Sequence, residues 1–120
     1  MPELPPGLKK RLQGTEAGFL QQVIDLAQVC GFLVHHCRPA VRKDGTWATP
    51  IQGDAGFPDL VLVNPQRHLL LFVELKMKGG KLTNAQTAWA DGLNDLNFNG
   101  FAGVWRPDDW PEIEATLKGA

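Results

Sequence analysis

Behind Thr15 the apolar residues Phe19, Leu20, Val23, Ile24, Ala27 and Cys30 recur at helical spacing until Gly31 stops the run. This predicts an amphipathic helix with Thr15 as its N-cap. Phe32 to His36 then reads as a short apolar strand. From Cys37 to Gly56 the chain turns polar and is interrupted by Pro39, Gly45, Pro50 and Gly53, which predicts a long loop. Such a connection is uncommon in a small domain unless it has a task, and it carries Arg38, Arg42, Lys43 and an isolated Trp47. Leu60 to Val63 and His68 to Leu75 are β-rich runs joined by Asn64, Pro65, Gln66 and Arg67, the chemistry of an antiparallel hairpin turn. Gly79 and Gly80 break the chain before Thr83, and the pattern Thr-x-x-Gln ending at Gln86 predicts a capping box. Ala85, Ala88, Trp89 and Leu93 form the stripe of that second helix. Phe101 to Trp105 reads as a fourth strand, and Asp108 or Asp109 with Pro111 opens a short last helix.

The order α, β, β, β, α, β, then a final α, predicts an α/β fold with a mixed four-stranded sheet flanked by helices. A right-handed crossover is expected if the third and fourth strands are parallel. Pro2, Pro5, Pro6 and Gly7 interrupt any period at the start, so residues 1–14 are expected to form a flexible segment and residues 15–120 a single domain.

Composition narrows the class. With 43% apolar and 21% charged residues, the chain has ordinary globular make-up. The longest apolar run, Leu69 to Val73, falls far short of the roughly 20 residues that cross a bilayer. No membrane span and no secretory leader are expected, which points to the cytoplasm. Cys30 and Cys37 are read as free thiols rather than a bridge. His35, His36 and His68 do not combine with them into zinc-ligand spacing. A net charge of −1 argues against avid non-specific binding of nucleic acid. The basic residues are nevertheless clustered at Lys9, Lys10 and Arg11, at Arg38, Arg42 and Lys43, and at Lys76, Lys78 and Lys81, so one face can still be positive.

Strand alternation puts Phe72, Glu74 and Lys76 on one face of the third strand. If the four turn residues are Asn64 to Arg67, position 63 pairs with 68, position 59 falls opposite 72, and Asp59 becomes a diagonal neighbour of Glu74. Diagonal neighbours lie about 7–8 Å apart, close enough for two carboxylates to share a hard divalent ion. A turn of odd length would send Asp59 to the other face. Glu16 has two readings. Its i+3 and i+4 positions, Phe19 and Leu20, are apolar and would aim it at the sheet, while a first-turn acid also complements the helix dipole. Glu74 and Lys76 alone could be a surface ion pair, and Gln86 is explained by capping alone.

Taken together, Gly56-Phe57-Pro58-Asp59-Leu60, Glu74-Leu75-Lys76 at a spacing of 15 residues, Leu82-Thr83 with Gln86 and Trp89, and Val104-Trp105-Arg106-Pro107 are more specific than any piece. The chain resembles the virus-type replication-repair nuclease (VRR-NUC) domain of the PD-(D/E)xK superfamily, from about Thr15 to Pro107. The resemblance implies a restriction-endonuclease-like core of order α, β, β, β, α, β and a catalytic set of Glu16, Asp59, Glu74, Lys76 and Gln86. It further implies that Asp59, Glu74 and the main-chain carbonyl of Leu75, with Glu16 completing the acidic set, bind Mg²⁺ or Mn²⁺. Lys76 would position or deprotonate the attacking water, and phosphodiester hydrolysis would leave a 5′-phosphate. Stand-alone proteins of this kind include dimeric resolvases of four-way (Holliday) DNA junctions, so the expected partners are branched DNA and a second copy of the chain. Arg38, Arg42, Lys43, Lys78 and Lys81 would then grip phosphates. The competing expectations are a flap or nicking endonuclease, a non-catalytic DNA-binding module, and an α/β interaction protein without metal dependence.

Overall fold

The computed structural model describes residues 14–37, 44 and 52–119. Helix α1 (Glu16–Val29) begins where the Thr15 hydroxyl accepts a hydrogen bond from the Gly18 amide at 2.9 Å, as the sequence predicts. Four strands follow: β1 (Leu33–His36), β2 (Leu60–Asn64), β3 (Leu69–Leu75) and β4 (Gly100–Trp105). Helix α2 (Asn84–Asn94) connects β3 to β4, and a 3₁₀ turn at Pro107–Asp109 leads into helix α3 (Trp110–Lys118). The sheet runs β1-β2-β3-β4, antiparallel except for the parallel pair β3 and β4. This is the mixed four-stranded α/β sheet that the hydrophobic pattern predicts. Among the described residues no helix is long and apolar enough to cross a membrane.

The hairpin register departs from expectation in an instructive way. Leu60 pairs with Val73 and Asn64 with Leu69, so the four-residue turn is Pro65 to His68, one position later than predicted. The sequence places Asn64 in the turn because asparagine favours turns. Its side chain is instead buried. It donates to the Cys30 carbonyl at the end of α1 (3.2 Å) and accepts from the Arg67 amide (3.1 Å). His68 closes the turn with a positive φ of 52°, and Asn99 holds the carbonyls of Arg67 and His68. Moving a four-residue turn by one position preserves the face of every side chain while shifting its partner by two.

Alternation divides the sheet. One face presents Leu60, Leu62, Leu71, Val73, Leu75 and Trp105 to Phe19, Val23 and Ala27 of α1 and to Ile113 and Leu117 of α3, and these form the core. The other face carries Val61, Phe72, Glu74 and Ala102. Here α2 is tied to β4 by Asn94, whose side chain both donates to the Ala102 carbonyl and accepts from its amide, each at 2.8 Å.

Candidate active site

With Leu60 opposite Val73, the next step outward along the hairpin puts Asp59 directly across from Glu74. The diagonal placement expected from the sequence is thus replaced by a closer one, on the same face. Asp59 is fixed at both ends. Its carbonyl accepts from the Cys37 amide at 3.2 Å, continuing the β1–β2 ladder, and its Oδ2 accepts from the Leu75 amide at 2.9 Å. Glu74 is only 7% exposed, although it is a carboxylate in a strand. Its Oε1 accepts from Gln86 Nε2 at 3.0 Å and lies 3.9 Å from Lys76 Nζ.

These surroundings do not neutralise the pair. Burial first, then the charge of Asp59 and a hydrogen bond with it, push the Glu74 carboxyl up to about 7, against the opposing pull of Lys76. A buried and a half-buried carboxylate facing each other need either a shared proton or a cation, and an all-oxygen donor set with a lysine at its rim suits a hard divalent ion.

The Gly56-Phe57-Pro58-Asp59 sequence has a local explanation. Gly56 has φ +99°, and a Cβ there would lie 2.5 Å from the Ala85 carbonyl carbon and 2.8 Å from the Gln86 amide nitrogen. Only glycine lets this loop lie against the first turn of α2. Phe57 then wedges between Phe72 (ring centroids 6.0 Å apart) and Trp89 (5.1 Å), both edge-to-face. Trp89 Nε1 donates to the carbonyls of Asp54 (3.3 Å) and Ala55 (3.1 Å), and Pro58 is buried. The aromatic wedge thereby fixes the distance between the strand that holds Glu74 and the helix that holds Gln86.

Gln86 serves both predicted purposes at once. Its Oε1 accepts from the Thr83 amide at 2.9 Å, completing the capping box, while its Nε2 remains free to hold Glu74. Glu16 is exposed in the first turn of α1, and among the described residues no three His, Cys, Asp or Glu side chains gather as a metal cluster. The structure therefore brings Asp59, Glu74, Lys76 and Gln86 together and does not gather Glu16 into an acidic triad with Asp59 and Glu74. Lys78 and Lys81 are exposed on the turn after β3. Arg38, Arg42, Lys43 and Trp47, like the segment 1–13, lie outside the described residues. Cys30 and Cys37 are free thiols. Sequence reasoning gave Trp89 only a place on the apolar stripe of the second helix and quoted Gly56 and Phe57 as pieces of a pattern without a task. The signal for one was a glycine placed directly before an aromatic and a buried proline.

A mixed sheet that presents paired carboxylates and a lysine on one face, under a helix that contributes a glutamine, has the architecture of a restriction-endonuclease-like core. The chain belongs to the VRR-NUC domain family, a family of nucleases, whose match covers residues 42–105, more than half of the 120-residue sequence. No curated protein and no solved structure matches the chain significantly. VRR-NUC nucleases generally depend on divalent metal.

Proposed function

We propose that this protein is a Mg²⁺- or Mn²⁺-dependent endonuclease that hydrolyses phosphodiesters in branched DNA, acting on four-way junctions as a homodimer. The observation that carries the reading is the facing pair Asp59 and Glu74 with Lys76 Nζ at 3.9 Å, an arrangement whose excess negative charge calls for a cation. A divalent ion held by Asp59, Glu74 and the main-chain carbonyl of Leu75 would supply Lewis-acid polarisation of the scissile phosphate and acidify water. The side chains do the rest. Lys76 orients the attacking water and offsets charge that develops on the phosphoryl oxygens. Gln86 holds Glu74 in the rotamer that faces Asp59. Lys78, Lys81, Arg38, Arg42 and Lys43 engage the backbone of the DNA.

One chain offers one such site, whereas paired cuts across a symmetric junction require two sites related by a two-fold axis, which supports a homodimer. The free thiols fit a reducing compartment such as the cytoplasm.

The test is a panel of labelled four-way junction, 5′-flap, 3′-flap, single-stranded and plain duplex DNA, with the mass of the protein–DNA complex measured in parallel. Paired symmetric cuts by a two-chain complex are expected. Cuts confined to a flap by a single chain would overturn the junction assignment and leave a flap nuclease.

A further inference from the structure

Arg106 has no place in the chemistry above, yet it stands beside Lys76. Leu75 pairs with Trp105, and the Lys76 amide donates to the Trp105 carbonyl at 3.1 Å, so Arg106 follows at the level of Lys76 where β4 leaves the sheet. Its backbone is pinned, because its amide donates to Asp109 Oδ2 at 2.8 Å and Pro107 follows it. Its guanidinium is pinned as well, since Nη1 donates to the Met77 carbonyl at 2.9 Å.

What is missing is an acid. Among the described residues the ion pairs are Lys76 with Glu74 and Lys118 with Glu114, and Arg106 takes part in neither. The only carboxylate on its own loop that contacts it, Asp109, accepts from its backbone. Arg106 is half-buried, and no buried side-chain nitrogen among the described residues lacks a partner, so the rest of its N–H fork opens to solvent. The same corner holds Lys76 and, on the following turn, exposed Lys78 and Lys81 with no acid among residues 76–81. A guanidinium held rigid with its fork facing outward matches the geometry of a phosphate diester better than that of water.

We propose that Arg106 grips a DNA backbone phosphate adjacent to the one that is cut. The proposal rests on the nuclease reading. The test uses the full chain with Arg106→Gln and Arg106→Lys, measuring DNA binding against salt in Ca²⁺ and cleavage kinetics in Mg²⁺. Loss of one phosphate contact lowers the salt slope by about 0.9. Arg106→Gln is expected to show that decrease and a KM raised about tenfold with kcat nearly kept, while Arg106→Lys retains the slope because it retains the charge. A methylphosphonate walk with wild-type protein adds a second readout. One neutralised phosphate flanking the cut should weaken wild type, and should cost Arg106→Gln little because the charge that holds that phosphate is already gone. If wild type cleaves and Arg106→Gln keeps its slope and KM, or if no flanking phosphate matters to wild type, the inference is overturned while the nuclease reading stands. If wild type neither binds nor cuts DNA, the nuclease reading itself fails.

Discussion

On the sheet face that meets α1 and α3, Leu60, Leu62, Leu71, Val73, Ile113 and Leu117 are fully buried, and the polar side chain among them, Asn64, is hydrogen-bonded to the end of α1. On the opposite face α2 has no fully buried residue, the packing is a wedge of Phe57, Phe72 and Trp89, and a buried glutamate sits at its edge. The first face is built for stability by removing apolar area from water. The second gives up part of that gain to hold two like charges close together. Changes on the two faces should therefore separate cleanly into losses of fold and losses of chemistry.

The largest expected effect is chemical. Asp59→Asn or Glu74→Gln should lower cleavage by roughly 10³-fold, the scale seen when one electrostatic element of an active site is removed. Melting temperature should hold or rise, because the repulsion is relieved. A fall in melting temperature comparable to that of a core variant would break the division between faces. On the core face, Leu71→Ala should cost about 3 kcal/mol in denaturant unfolding, with cleavage per folded molecule unchanged. Gly56→Ala tests the seam between the regions. Its strained φ and its collision with Ala85 should cost about 2 kcal/mol and also displace Gln86, so stability and kcat fall together.

The smallest effect is a pH dependence. Because Glu74 is raised from 4.5 to about 7 in the fold, its contribution to stability is complete below 4.5 and is lost as pH rises through 7. Metal-free protein should lose stability over that window, and Glu74→Gln should flatten the curve. Divalent metal should reverse the trend, since it binds the ionised pair and releases protons.

How much of this was legible in the sequence follows from the physics of each part. Period and capping residues located α1 and α2 because Thr15, Thr83 and Gln86 act over three or four residues. The shared face of Asp59 and Glu74 was legible because an even turn conserves side-chain parity wherever it is placed. The direct pairing was not. It depends on Asn64 finding a partner 34 residues away at Cys30, a tertiary contact that overrides turn preference. Glu16 could not be resolved for a similar reason, since the rotation of a helix over a sheet is set by packing rather than by its own spacing. The second task of Gln86 and the docking of Gly56 on Ala85 likewise appear only when a loop and a helix distant in sequence meet.

The most direct measurement is cleavage of a labelled four-way junction by wild type and Lys76→Ala, each in Mg²⁺, Mn²⁺ and EDTA, with folding checked by circular dichroism. The account predicts cutting by wild type in either metal, none in EDTA, and loss of cutting in folded Lys76→Ala. Cutting that persists in EDTA or in Lys76→Ala would contradict it, because the facing carboxylates and their lysine would then not be the site of the chemistry.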